Sequence, residues 1–375
     1  MKSKVKFFLA GALAFLVIVP IINISLGQIP ADKAIKWLFK RSKIYNTDFI
    51  KLYTSTISYP LGISINPEKA IIGKNGWLFL GDLYERSISN KRNYDQNREA
   101  TAQSIVQITG GWNTWLRQHG VKDYTILLGP DKSTIYPEHL PDWAAPAAFS
   151  STDYLLQHAD QMIYIDTRPT LLSAKTTQAQ NLYYPTDTHW TKLGGWIAFD
   201  TLAKRLSAVH PELTWPTQSA GEIDQVVPRS AGDLSMFLWL QSKLTENEIY
   251  LAFERLYPME TKLYSYGSGE LIRSGANADV PSMETLTLVS SDKALNKAKV
   301  LWLRDSFGGA MAAPMSATFS DVLQVHYNKM QTNNLSQLVK SFKPDYVIIT
   351  VVERALYDSF FLQPPPQDKA TVADQ

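Results

Sequence analysis

The chain has 375 residues, of which 19% are charged and 45% hydrophobic, with a formal net charge of +2. That balance describes a folded globular protein with ample material for a core, and it gives no global electrostatic case for nucleic acid or an acidic partner. The absence of cysteine excludes disulfides, a thiolate nucleophile and thiolate metal ligands.

In chain order, Lys2, Lys4 and Lys6 precede an uncharged run from Phe7 to Ala31, whose apolar heart is Phe7 to Ile22. A full membrane span needs about 20 apolar residues, so residues 1–30 are expected to be a signal anchor or a signal peptide. Basic residues stay on the cytoplasmic side, which sends the rest of the chain to the periplasm. It is anchored there to the inner membrane, or released if the small residues around Ser25-Leu26-Gly27 are cleaved. Residues 31–70 read as a juxtamembrane linker. Within it Ala34, Ile35, Trp37, Leu38 and Phe39, with Lys33, Lys36, Lys40, Arg41 and Lys43, fit either a basic amphipathic helix near the membrane or an ordinary solvated face.

Residues 71–362 have the pattern of one α/β domain. Ile71 to Leu80 reads as a hairpin turning at Lys74-Asn75-Gly76. Gln96 to His119 is helical in period, with Ile105, Ile108, Trp112, Trp115 and Leu116 near one face. Short apolar runs at Tyr124–Leu128, Met162–Asp166, Val300–Leu303, Val322–Val325 and Tyr346–Val352 alternate with helical stretches such as Thr191–Val209. Such alternation predicts a parallel sheet flanked by helices on both faces. Residues 211–290 break the rhythm. They are polar, aromatic and turn-rich, and are expected to form an insertion near the active-site face. Residues 363–375, opening on Gln363-Pro364-Pro365-Pro366, read as a disordered tail.

Two stretches carry the chemistry. In Tyr183-Tyr184-Pro185-Thr186-Asp187-Thr188-His189-Trp190 an acid stands two residues before a histidine, in the loop that feeds the helix from Thr191. From there a carboxylate reaches the Nδ1–H, fixes the tautomer and leaves Nε2 free to take a proton. Val300-Leu301-Trp302-Leu303-Arg304-Asp305-Ser306-Phe307-Gly308-Gly309 reads as a buried strand ending in a tight turn with a serine at its tip. A site belongs beyond the carboxyl end of such a strand. Ser306 is therefore the candidate nucleophile, His189 its base and Asp187 the orienter. The plainer readings are a helix-start Asp beside a surface His, and a serine that caps the following helix. Asp305 is expected to support the turn. Lys132 and Tyr136, after a strand, could line the cleft or build a turn between Pro130 and Pro137. Arg354 follows a strand end and could bind a carboxylate or carry a salt bridge; Asp233 is a weaker candidate, and His326 reads as a buried structural histidine. The six histidines show no metal-ligand spacing, so no metal and no cofactor is expected.

Asp187-Thr188-His189-Trp190 resembles the Asp-x-His-Trp signature of the alginate O-acetylation proteins, the AlgJ/AlgX type of SGNH-hydrolase-like acetyltransferase. Gly73-Lys74-Asn75-Gly76-Trp77-Leu78-Phe79 is similar to that family's opening hairpin. Gly129-Pro130-Asp131-Lys132, with Tyr136-Pro137-Glu138, is similar to its Pro-x-Lys…Tyr-Pro-Glu segment, and Gly232-Asp233-Leu234 falls between the histidine and serine blocks as in relatives. The resemblance spans about residues 70 to 355. It implies an SGNH-like α/β fold of circularly permuted order, with the Asp/His pair before the serine. Arg304 stands where many SGNH enzymes have glycine, and no Gly-x-Asn-Asp block supplies an asparagine oxyanion donor.

The resemblance further implies O-acetylation of an extracellular or periplasmic polysaccharide through an acetyl-serine. The acetyl group would come from a membrane-bound O-acyltransferase partner. Two rivals share the same residues: a carbohydrate acetyl esterase, in which water takes the acetyl group, and a non-catalytic polysaccharide-binding subunit of an export complex.

Overall fold

The computed structural model describes residues 2–25 and 44–367. In chain order these hold helix α1 (Lys2–Ser25), α2 (Asp48–Ser58), strands β1 (Ala70–Ile72) and β2 (Leu78–Leu80), α3 (Glu99–Gln118), β3 (Asp123–Gly129), α4 (Ser151–His158), β4 (Tyr164–Asp166), α5 (Arg168–Thr177) and α6 (Lys192–Val209). There follow β5 (Ile223–Ser230), α7 (Asp233–Phe237), β6 (Thr245–Leu251), β7 (Thr261–Ser265), β8 (Leu271–Gly275), β9 (Thr287–Ser291), β10 (Asn296–Arg304), α8 (Ala312–Thr318), β11 (Phe319–Val325), α9 (Thr332–Phe342) and β12 (Tyr346–Val352). The segments around Leu26-Gly27 and Ala34 to Lys43, and the end of the expected tail from residue 368, lie outside the described residues.

Within α1, Ser3–Ser25 has a mean hydropathy of 2.6 and is long and apolar enough to cross a membrane. It fits a signal anchor or a signal peptide.

The core is an eight-stranded sheet of order β4-β3-β12-β10-β11-β9-β7-β8. The first five strands run parallel. All seven residues of both β3 and β12 are buried, as a strand covered on both faces requires. Side chains alternate between the faces. The register aligns Leu303 with Ile349 and Val347 with Tyr124, and these four lie beneath Thr109, Trp112 and Leu116 of α3 and Leu335 of α9. Tyr346, of opposite parity, meets His210 at the end of α6, with ring centroids 5.3 Å apart.

The five parallel strands are the expected parallel sheet, and β9, β7 and β8 extend it antiparallel beyond β11, so that the whole sheet is mixed. These strands come largely from the stretch read as an insertion. Their burial alternates along β7 and β9, and β8 is mostly exposed. Their sequences are therefore half polar and do not show the continuous apolar run of a central strand. β5 and β6 form a separate two-stranded ribbon. The first residues of the expected tail are bonded to the domain: Trp112 donates its indole N–H to the carbonyl of Gln363 at 2.8 Å, and Thr332 donates its hydroxyl to that of Pro364 at 2.9 Å.

β1 and β2 form the expected hairpin, with Asn75 and Gly76 at φ 56° and 78° in its turn. A second, smaller core packs Ala70, Ile72 and Leu78 of this hairpin against Leu234, Leu238 and Leu240. The Leu78 amide donates to the carbonyl of Pro185 at 2.8 Å. The hairpin is thus fastened to the loop that carries Asp187 and His189.

Candidate active site

β10 delivers the serine. Beyond Arg304 the chain stays extended at Asp305 and then tightens into a 3₁₀ turn, Ser306–Met311. Asp305 is buried, and its carboxylate accepts from the amide of Phe307 at 2.9 Å and from that of Val352 at 2.7 Å. It caps the turn and ties it to the end of β12. The serine is therefore not the cap, and its hydroxyl is left free for other work; Ser306 is exposed. Gly308 is required by close approach, since a Cβ there would lie 2.4 Å from Arg304 Cδ and 2.8 Å from the Trp302 ring.

The histidine loop is a closed excursion between Tyr183 and Trp190, which face each other across an isolated antiparallel bridge. Thr191 caps α6 behind it, accepting from the amide of Gly194. The loop is pinned to the serine turn by Trp190, whose indole N–H donates to the carbonyl of Phe307 at 2.9 Å while the two rings meet edge to face at 5.0 Å. β3 ends on Gly129 beneath them, where a Cβ would approach the Phe307 ring to 2.9 Å.

These constraints bring the two stretches together. His189 Nε2 lies 2.7 Å from Ser306 Oγ, and Nδ1 lies 2.7 Å from Asp187 Oδ1, which also accepts from the His189 amide at 3.0 Å. Double acceptance by one carboxylate oxygen fixes ring and tautomer, with the proton on Nδ1 and the lone pair of Nε2 aimed at the hydroxyl. Burial would raise the Asp187 carboxyl, but the bond and charge of His189 outweigh it and hold the group at about 2. Burial alone would lower His189; the bond to Asp187 and the charges of Asp187 and Asp233 prevail and raise it above the usual histidine value.

Asp233, at the start of α7, is a second carboxylate beside the ring. Its Oδ2 is 3.9 Å from His189 Nδ1, and its Oδ1 accepts from the amide of Thr188 at 2.7 Å. Its own amide donates to Asp187 Oδ2 at 3.4 Å, and Arg229 approaches the same oxygen at 3.7 Å. Gly232 permits this contact, for a Cβ there would fall 2.3 Å from Asp187 Cβ. Asp187, His189 and Asp233 each offer a ligand atom, all within 4.8 Å of one another, and so could also hold a metal ion. The hydrogen-bond geometry uses them differently, since Nδ1 donates to Asp187, with Asp233 nearby at 3.9 Å, and Nε2 faces the serine. The Gly232-Asp233-Leu234 motif marked this place in the sequence, whereas Arg229 on β5 carried no local signal.

Lys132, Tyr136 and Arg354 are placed elsewhere. The Lys132 ammonium is buried and donates to the carbonyls of Tyr184, Pro185 and Asp187 at 3.0, 3.0 and 2.7 Å. It clamps the histidine loop from beneath. Tyr136 is buried as well, and its hydroxyl accepts from the Leu182 amide at 2.9 Å. Arg354 donates to Asp131 and lies 3.3 Å from Glu85. It belongs to an ionic network in which Lys91 bonds Glu353 at 2.6 Å and Asp131 at 3.2 Å. All three hold the scaffold at the ends of β3 and β12, with their polar groups spent inside the protein. His326 is half-buried and accepts from the amide of Asn328 through Nδ1 at 3.2 Å.

The family profile described as the SGNH hydrolase-like domain of the acetyltransferase AlgX matches residues 70–272, more than half of the chain. That match includes Asp187 and His189 and stops before Ser306. The chain is similar to a probable alginate O-acetylase AlgJ of Pseudomonas fluorescens, with 30% identity over 172 residues, 45% of this chain and 41% of that protein. The similarity thus spans less than half the length of this curated relative. Among solved structures, Bacillus cereus PatB1 is 13% identical with a TM-score of 0.57, covering 78% of this chain and 98% of that one. A DHHW family protein from Eubacterium siraeum is 12% identical with a TM-score of 0.55, covering 82% and 98%. Both share the fold.

Proposed function

The chain belongs to the family of the AlgX-type SGNH hydrolase-like acetyltransferase domain, and from that premise we propose that it is an O-acetyltransferase acting on hydroxyls of a periplasmic or extracellular polysaccharide. The observation that supports this most directly is the 2.7 Å contact between an exposed serine hydroxyl and a histidine nitrogen whose ring is held by a carboxylate. Residues 71–362 form the catalytic domain. Residues 1–30 are a retained anchor that holds it on the periplasmic side of the inner membrane, with 31–70 as the linker.

In the first half-reaction Oγ of Ser306 bonds to the acetyl carbonyl carbon of the donor, and Nε2 of His189 takes the hydroxyl proton. The developing negative charge on the carbonyl oxygen is met by the backbone N–H of Ser306, since those of Phe307 and Gly308 donate to Asp305. The tetrahedral centre collapses, the donor's oxygen leaves with the proton from Nε2, and the acetyl group remains as an ester on Ser306. In the second half-reaction a sugar hydroxyl yields its proton to Nε2 and attacks that ester; the serine departs and recovers the proton. Asp187 stabilises the imidazolium in both halves. The donor is an acetylated carrier presented by a membrane-bound O-acyltransferase. The names of the AlgJ relative and of the AlgX profile support a uronic-acid polymer of the alginate kind as acceptor.

The test is to treat the purified chain with an activated acetyl ester, locate the added acetyl mass by peptide mass spectrometry, then add alginate oligosaccharide. An acetyl mass on the Ser306 peptide that passes to the glycan supports the reading. Release only as acetate would assign the chain as an esterase, and no acetyl-serine at all would leave it without catalysis.

A further inference from the structure

We propose that α2 lies on the lipid surface, its outward stripe of apolar side chains seated in the bilayer interface, so that the catalytic domain is held against the membrane rather than swinging from a linker. The inference rests on the reading of residues 1–30 as a retained anchor.

An eleven-residue helix beside a folded domain normally turns its apolar face inward. α2 does turn Phe49 inward, but it also carries a second apolar face that points outward. Ile50, Tyr53 and Ile57, at i, i+3 and i+7, share one face and are exposed, and the stripe continues through Leu61 and Ile63. Ile57 is 72% exposed and Leu61 69%. A contiguous apolar strip of this kind on a soluble protein marks an interaction site.

The position of α2 selects lipid as the occupant. Asn23, in the last turn of α1, donates its amide to the carbonyls of Ile44 and Asn46 at 2.7 and 2.9 Å. Tyr45 stacks on Phe15 with ring centroids 6.3 Å apart. The residues that open α2 therefore lie alongside the apolar part of the membrane-spanning helix, at its outer end. The sequence between the two helices adds Lys33, Lys36, Lys40, Arg41 and Lys43, the charge pattern that draws a segment to anionic headgroups.

α2 is also fixed to the catalytic domain. The Tyr59 hydroxyl at its end donates to the carbonyl of Gly76 at 3.0 Å, and Lys51 sits 4.3 Å over the ring of Trp239. Both contacts reach the small core that carries α7, on which Asp233 touches the histidine loop. Seating the stripe in lipid therefore sets the height of the triad above the bilayer, which suits an acetyl donor that emerges from the membrane.

The absence of cysteine allows a direct test in the full chain. Ile57→Cys, Thr56→Cys and Phe8→Cys are each labelled with an environment-sensitive fluorophore. Each is reconstituted in vesicles of phosphatidylethanolamine and phosphatidylglycerol, with or without a spin-labelled lipid. Thr56 is exposed but lies off the stripe. The expected result is that the probe at 57 is quenched by shallow spin-labelled lipid at least about threefold more than the probe at 56, and is shielded from aqueous iodide. If the probe at 8 is quenched by lipid while the probe at 57 is as open to iodide as that at 56, the proposal is wrong, including the case in which a partner protein covers the stripe. If the probe at 8 is not quenched by lipid, the anchor reading fails and the proposal with it.

Discussion

Lys132 and Asp187 are joined through the backbone: the buried ammonium donates to the Asp187 carbonyl at 2.7 Å and to two further carbonyls of the same loop. The Asp187 side chain faces His189 while the loop's main chain is held by the ammonium. Lys132→Met keeps the volume and removes the donors. Leaving buried carbonyls unsatisfied should lower stability by about 3 kcal/mol and cut activity as the loop relaxes. Urea unfolding measures the first and turnover of an acetyl ester the second. An unchanged midpoint would show that water replaces the ammonium without cost.

Ser306→Ala and His189→Ala should each reduce turnover by roughly 10⁴-fold or more, and the double variant by little beyond either, because members of such a unit fail together. Asp187→Asn should cost less than the about 10⁴-fold seen where a triad has a single acid, since Asp233 lies 3.9 Å from the same ring nitrogen. Adding Asp233→Asn should then deepen the loss. Additive logarithmic losses in the Asp187/Asp233 cycle would show that Asp233 does not stand in for Asp187 at the ring.

The rate should rise with pH as His189 gives up its proton, since only the neutral ring accepts one from Ser306. Because Asp187 and Asp233 raise the ring's pKa despite its burial, the midpoint should lie above the ordinary value near 6.5. Removing the negative charge at Asp233 should bring it down. A pH profile of kcat/KM for the free enzyme reads both; a midpoint below 6.5 in the parent contradicts the electrostatic account.

Gly232→Ala tests the packing behind the acid. The backbone at Gly232 has an ordinary φ of −79°, so the new methyl group acts only by contact with Asp187, at 2.3 Å. Displacing the orienting carboxylate by a fraction of an ångström or more should cost about 10²-fold in kcat. Turnover equal to the parent's would mean that α7 shifts freely and does not position Asp187.

Activity should survive strong chelators, because both nitrogens of His189 are engaged by hydrogen-bond partners. Loss with EDTA and recovery with zinc would reassign Asp187, His189 and Asp233 as ligands.

Much of this site could be read in the sequence, for physical reasons. The run Val300 to Leu303 is buried on both faces and so carries an unbroken apolar signal, which located the turn at Ser306. An acid two residues from a histidine needs no distant partner to form its bond, and the structure brings that pair to the serine. Lys132, Tyr136 and Arg354 were noticed through their strand-end positions, but charge and hydroxyl alone do not reveal burial. In the fold each is consumed by carbonyls, an amide or carboxylates. β7, β8 and β9 were illegible because an edge with one wet face is half polar. Asp305 was expected to support the turn, and it does so as the cap, the place that its neighbour Ser306, an equally good capping residue by type, could also have taken.

The order of strands has a consequence for how such proteins diversify. β10, which presents the nucleophile, is enclosed between β12 and β11, whereas β7 and β8 stand at the far rim and the β5–β6 ribbon is outside the sheet altogether. A rim can be lengthened, trimmed or exchanged without altering the registers at the centre. Chimaeras that exchange β7 and β8 alone should therefore keep the reaction, whereas exchange of the β5–β6 ribbon, whose Arg229 approaches Asp187 and whose Glu246 accepts from Thr186, should disturb it.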